Sequence, residues 1–288
     1  MNDSFTSIVS APDSGVFSAL VTMGGQEIFA FGGDERRPVY SATKSFLSAA
    51  AGIAVTEKKF DLLRPALHYL NKEQTGMIKD HRILLHLQAY RIRDFLSMKV
   101  CGYPFRPEGD NWERQCLAEL PKGFDYAGEP RFHYSNITAY ILGLCLENAV
   151  DMHLYDYMKP RLFDPLDIRD PVYANCPSGH FYGASGMELN VRELSRLGQL
   201  FMNKGSFDGQ RIFSEGYAAA ATSVQTVNRE GGYGYFIWTL DDCFYISGKW
   251  GQKCIVFPEK ELIVTYLSHL PEDSDRVLKA ALDYGRSL

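Results

Sequence analysis

An α+β fold is predicted, in which one antiparallel sheet is assembled from both chain ends and a mostly helical segment is inserted between them. Three observations predict it. Strand signals cluster at the two ends of the chain, the stretch between them reads as short helices and long loops, and one strongly apolar helix follows the first pair of strands. The 288 residues, 45% of them hydrophobic, suffice for one large domain or two interlocked ones with a real core. Thirty basic against 35 acidic residues give a net charge of −5 with no long run of one sign. That balance argues against a nucleic-acid or anionic-membrane surface and for small-molecule chemistry.

The opening MNDSFTSIVSAPDSG has neither a basic leader nor an apolar core segment, and no run of about 18 apolar residues occurs, so a cytoplasmic location is expected. Residues 16–23, a turn at Gly24-Gly25 and residues 28–31 form a β-hairpin. A helix follows whose Phe46, Leu47, Ala49, Ala50, Ala51, Ile53, Ala54 and Val55 are apolar nearly all round, as in a buried helix. Further on, Asn136 is expected to cap a helix through 148, and another helix covers 154–163 before Asp164-Pro165. Asn190 and Glu193 open a covering helix with a capping-box pattern; its apolar face is Val191, Leu194, Leu197, Leu200 and Phe201, and Gly205 closes it. Strands are predicted over 233–238, 243–246, 252–257 and 262–267, with a turn at 258–260 and a final helix over 273–284. The sheet domain therefore comprises 1–60 and 180–288, and the helical domain 61–179. The six cysteines lack Cys-x-x-Cys spacing and read as reduced and mostly buried, and the seven histidines show no metal-ligand spacing. No metal or cofactor is expected.

The chemistry starts at YSATKSFLSAAAGIAVTEKK, residues 40–59. Ser41 and Lys44, three residues apart at a helix start, share one face, so the amine can reach the hydroxyl. Burial and the positive end of the helix dipole both lower a lysine pKa toward that of a useful base. The first-turn N–H of Ser41 is free to face an oxyanion. Ser-x-x-Lys alone is weak evidence, since it arises by chance about once in a chain this long. Tyr134-Ser135-Asn136 offers a phenol to share the proton load and an amide to orient a substrate, although Asn136 as a simple cap and Tyr134 as a packed aromatic is the plainer interpretation. Tyr173-Ala174-Asn175 repeats the pattern, but runs into a loop with no helix to fix it. Lys249-Trp250-Gly251 lies between two strand signals, where glycine permits close ligand approach and Lys249 can hold a carboxylate. The same lysine would also serve simply to protect a sheet edge.

The three motifs in this order resemble the serine β-lactamase and penicillin-binding protein superfamily, most closely its class C and esterase-like branch. The segments IRDFLSMKVCGY, RFHYSNITAYILGLCLE and GASGMELNVRELSRLGQLFMNKGSFDGQRI are similar to that branch's conserved stretches, so the resemblance covers nearly the whole chain. It implies a β-lactamase/transpeptidase-like fold with the active site at the junction of the sheet and helical domains, Ser41 as the acylated nucleophile and Lys44 as its base or proton shuttle. Tyr134 would pass the proton to the leaving group and activate the deacylating water, and Asn136 would contact substrate. The oxyanion hole would be the N–H groups of Ser41 and Gln252. Trp250 departs from the small Thr or Ser usual in β-lactamases and peptidases, and Lys99-Val100-Cys101-Gly102 lacks the usual Ser-Gly. The expected activity is a serine hydrolase acting through an acyl-enzyme on a small ester or amide. The alternatives are a β-lactamase or D-alanyl-D-alanine carboxypeptidase, or a ligand-binding protein that has lost turnover.

Overall fold

The computed structural model describes residues 4–118 and 130–288. Eight strands form one sheet: β1 (Val16–Met23), β2 (Gln26–Gly32), β3 (Thr226–Asn228), β4 (Gly231–Tyr233), β5 (Trp238–Thr239), β6 (Phe244–Gly248), β7 (Gln252–Phe257) and β8 (Leu262–Ser268). Their order is β2-β1-β8-β7-β6-β5-β4-β3, and every pair is antiparallel. The first and last strands thus pair inside the sheet, β1 being one strand in from the β2 edge, with Leu20 opposite Thr265.

Both faces of the sheet are covered, which explains why β8 reads as a continuous apolar run rather than an alternating one; all seven of its residues are buried. Leu262, Val264 and Tyr266 pack with Phe5 and Val9 of a short helix, Phe5–Val9, and with Val277 and Ala281 of the C-terminal helix, Ser274–Ser287. Ile263 and Leu267 face the larger core on the other side, with Phe46, Ile141 and Leu197. That core is built around three helices: α1 (Thr43–Thr56), α2 (Asn136–Val150) and α3 (Val191–Met202). The Asn190–Glu193 capping box forms as expected, and Gly198 lets α3 sit against the sheet, since a Cβ there would collide with Cys254 Sγ. All six cysteines are buried. No helix among the described residues is long and apolar enough to cross a membrane.

Four local expectations need correction. The helix over 136–150 is capped by Ser135, whose hydroxyl accepts from the Ile137 N–H, and Asn136 is its first residue, which frees the amide for other partners. The strand expected over 233–238 is two strands, because Gly234 N–H bonds Ile237 O in a tight turn and Phe236 takes φ 57°. The helix over 154–163 is α-helical only for Leu154–Met158 and widens to a π turn over Lys159–Phe163. Finally, Ser41 lies not in the helix itself but in a 3₁₀ turn, Tyr40–Ala42, that leads into α1 from a left-handed Tyr40 (φ 48°).

Candidate active site

The tight Tyr40–Ala42 turn keeps Ser41 and Lys44 adjacent: Lys44 Nζ is 3.2 Å from Ser41 Oγ. Lys44 is 1% exposed and has no carboxylate partner among the described residues. Its two shorter contacts are to oxygens that can only accept, Asn136 Oδ1 at 2.7 Å and Ala184 O at 2.8 Å. Burial without a counter-charge pushes its pKa down from 10.5 to about 7. In the neutral amine the two N–H groups go to those carbonyls, and the lone pair is left for the serine proton.

Tyr134 stands beside this pair. Its phenol is in hydrogen-bonding range of the Ser41 hydroxyl, and Lys44 Nζ lies 4.9 Å from its ring centre. Burial raises its pKa to about 12, so it carries a proton at neutral pH, while the Ser41 hydrogen bond acts the other way. Aromatic neighbours fix the ring: Trp238 stacks on it at 6.2 Å and Phe105 at 6.4 Å. The Asn136 amide joins Lys44 on one side and the Tyr182 hydroxyl on the other.

These groups open onto a cleft of about 770 Å³. The Tyr40–Ser41 turn, the 105–107 loop with Trp112, the start of α2, and the sheet edge Ser247-Gly248-Lys249 all line it. Strand β6 is free at that edge because β5 pairs only with Phe244 and Tyr245. It lies close to the residue that leads into the Tyr40–Ala42 turn, since a Cβ at Gly248 would collide with Val39 O.

Of the residues predicted from sequence, Ser41, Tyr134, Asn136 and Lys249 therefore line one cleft, and Lys44 lies buried behind it against Ser41 and Asn136. Trp250, Gly251 and Gln252 do not line it. Lys249-Trp250-Gly251 is the turn between β6 and β7. The Trp250 ring packs edge-on against Tyr40 at 5.2 Å and against His269 at 4.4 Å, and Lys249 Nζ lies over it. Gly251 has φ 87° and faces Ser268 Oγ. Gln252 is 1% exposed, its side chain bonded to Lys249 O and Ser268 O. Tyr173 stacks on Tyr155 at 4.4 Å outside the cleft, and the His133 ring nitrogen bonds Tyr103 O. Sequence reasoning missed Tyr182, Trp238, Ser247 and Arg106. Of these only Ser247-Gly248, a small pair at a strand end, left a local signal.

An ion cluster braces the wall that carries Trp112 and Tyr182. His180 Nδ1 is 2.5 Å from Glu147 of α2 and its Nε2 is 3.5 Å from Glu113, the neighbour of Trp112. Glu113 and then Glu147 raise the imidazole pKa to about 10. Since the unfolded value is near 6.5, the stabilisation is complete below that pH and is lost as pH rises through about 10. His180→Gln is accordingly expected to lower Tm at pH 6, with the gap to the parent protein closing by pH 10 to 10.5; a gap that stays constant across that range would rule out a charged clasp.

A family model described as Beta-lactamase matches residues 13–284. The chain belongs to the beta-lactamase family. Among its relatives in this family is the 6-aminohexanoate-dimer hydrolase of Paenarthrobacter ureafaciens, 21% identical over 292 residues that cover 90% of this chain and 74% of that protein. Two solved structures share the beta-lactamase fold with it at low identity. A class C beta lactamase from Rhodobacter sphaeroides superposes with a TM-score of 0.77 at 14% identity, covering 98% of each chain. EstCE1, a hydrolase with promiscuous acyltransferase activity, gives 0.72 at 16% identity, again covering 98% of each.

Proposed function

We propose that this chain hydrolyses a small carboxylic ester or amide through an acyl-enzyme on Ser41. The observation that carries the proposal is the buried, uncompensated Lys44 amine, placed 3.2 Å from the Ser41 hydroxyl and poised near neutrality. Lys44 takes the Ser41 proton as Oγ bonds to the substrate carbonyl carbon. The carbonyl oxygen becomes an oxyanion, held by backbone N–H groups. Ser41 supplies one, and the second is assigned to Lys249 rather than Gln252, because Lys249 lines the cleft whereas Gln252 sits behind it as the ladder partner of Gly248. As the C–O or C–N bond breaks, the proton returns to the leaving group through Tyr134, a relay rather than a standing base because its phenol stays protonated. Water then attacks the acyl carbon with its proton drawn off along the same path, and Ser41 is released.

A β-lactam or D-alanyl peptide substrate is the second reading, and Ser247 favours it. Trp250 lies outside the cleft, and the small hydroxyl it was expected to displace is supplied at the sheet edge by Ser247. An open cleft over the nucleophile supports turnover over ligand binding alone. Intact-mass measurement with p-nitrophenyl esters, a chromogenic cephalosporin and a fluorophosphonate tests both readings. An acyl adduct on Ser41 with ester turnover is expected, and no adduct from any of them would refute the proposal.

Tyr134→Phe is expected to lower kcat by roughly 10²-fold to 10⁴-fold, the usual range for a general acid–base group. Tyr173→Phe, altering a ring packed outside the cleft, should leave kcat within about twofold. Equal effects in steady-state ester assays would remove Tyr134 from the proton path.

A further inference from the structure

The cleft inverts the charge of the molecule around it. The whole chain carries −5, yet among the described residues that line the cleft there is no aspartate or glutamate, while Arg106 and Lys249 are both present. Neither cation is in an ion pair among the described residues, and Lys249 rests on the Trp250 ring. Arg106 is exposed and makes no hydrogen bond there either, so its five donors are open to a ligand.

Its backbone, by contrast, is tightly placed. The Ser135 hydroxyl donates to Pro104 O at 2.7 Å and the Asn136 N–H donates to Phe105 O at 2.6 Å, so the residues just before Arg106 are fastened to the start of α2. Pro107, just after it, is buried, and Trp112 Nε1 ties the loop back to Gly109 O. Arg106 is thus carried on a loop fastened to the start of α2, it lines the same cleft as Asn136, and its charge is felt by Tyr182, the phenol bonded to the Asn136 amide. Phe105, on the other side of the loop, stacks on Tyr134.

Resting on the acyl-enzyme reading, we infer that Arg106 is a specificity-determining residue that binds a carboxylate at the far end of the substrate's acyl chain, so that the preferred substrates are half-esters or half-amides of dicarboxylic acids. The acyl side is assigned by the two walls. A leaving group departs toward its proton donor, Tyr134, which leaves the Asn136–Tyr182–Arg106 wall for the acyl chain. The rings of Trp112 and Tyr182, 4.8 Å apart, give that chain an apolar floor, and the guanidinium fork matches a carboxylate in two-pronged fashion.

Three chromogenic esters test this, each corrected for spontaneous hydrolysis: mono-p-nitrophenyl adipate, its neutral analogue p-nitrophenyl hexanoate, and the hexanoate ester of 4-hydroxy-3-nitrobenzoate, which moves the carboxylate to the leaving group. The expected kcat/KM ratio of adipate to hexanoate is about tenfold or more, falling toward one in Arg106→Gln and partly kept in Arg106→Lys. No preference, a preference that survives Arg106→Gln, or a preference only for the leaving-group carboxylate would each overturn the inference. If all three esters fail to acylate Ser41 by intact mass, the hydrolase reading itself falls, and this inference with it.

Discussion

Ser41→Ala is expected to lower ester kcat/KM by about 10³-fold or more and to abolish fluorophosphonate labelling, because members of a cooperating catalytic set are lost together rather than in proportion. The Ser41 hydroxyl is the hydroxyl that meets both the Lys44 amine and the Tyr134 phenol, so no neighbouring group can take over the attack. Ser247 also lines the cleft, but its oxygen accepts from Lys253 Nζ at 2.6 Å on the sheet side. Labelling that persists in the alanine variant, mapped by peptide mass to another residue, would show that the nucleophile has been misassigned.

Lys44→Met should remove activity to a similar extent while making the fold more stable at pH 7. Its amine titrates near 7 in the folded chain against 10.5 when free, so between those values the unfolded chain holds a proton that the folded chain has lost. Stability attributable to this group therefore falls as pH drops from about 10.5 to 7, at about 1.4 kcal/mol for each unit of pKa displacement. Methionine removes that cost, although it leaves Asn136 Oδ1 and Ala184 O without their donor, which offsets on the order of 1 to 3 kcal/mol. The expected result is a Tm several degrees higher than the parent at pH 7, with the advantage shrinking toward pH 10. In the parent protein, kcat/KM should rise with pH through about 7 and then level off, since only the neutral amine can accept the serine proton. A flat profile between pH 5.5 and 8.5, or a destabilised methionine variant, would mean that the lysine is charged in the resting protein.

The sheet from both chain ends, the buried helix after Ser41 and the capped covering helix were legible because each is written in local periodicity or capping chemistry. Ser41 and Lys44 were legible for the same reason, although a 3₁₀ turn, not a helical one, sets their separation. The third motif was harder to place. Gly248 and Gly251 both stand near a strand end, and which of them faces the nucleophile depends on how closely β6 approaches Val39, a contact across the fold rather than along the chain. For Trp250, residue type alone suggested a bulky wall of the site, whereas packing against Tyr40 and His269 turns it away. Tyr182, Trp238 and Arg106 come from loops and sheet ends without a repeating pattern, so nothing local marks them.

The meeting of β1 with β8 also sets an order of events during synthesis. The Tyr40–Ala42 turn leaves the ribosome together with the β1–β2 hairpin, but the strand that completes their side of the sheet is made only after the whole intervening chain. Until it docks, the first hairpin has an unpaired edge, and Gly248 has not yet been brought beside Val39. Such distant pairing is slow, because the loop must be closed before any contact rewards it. A ribosome that stops short of residue 262 therefore releases a product whose first hairpin keeps an open sheet edge, a form exposed to aggregation and proteolysis.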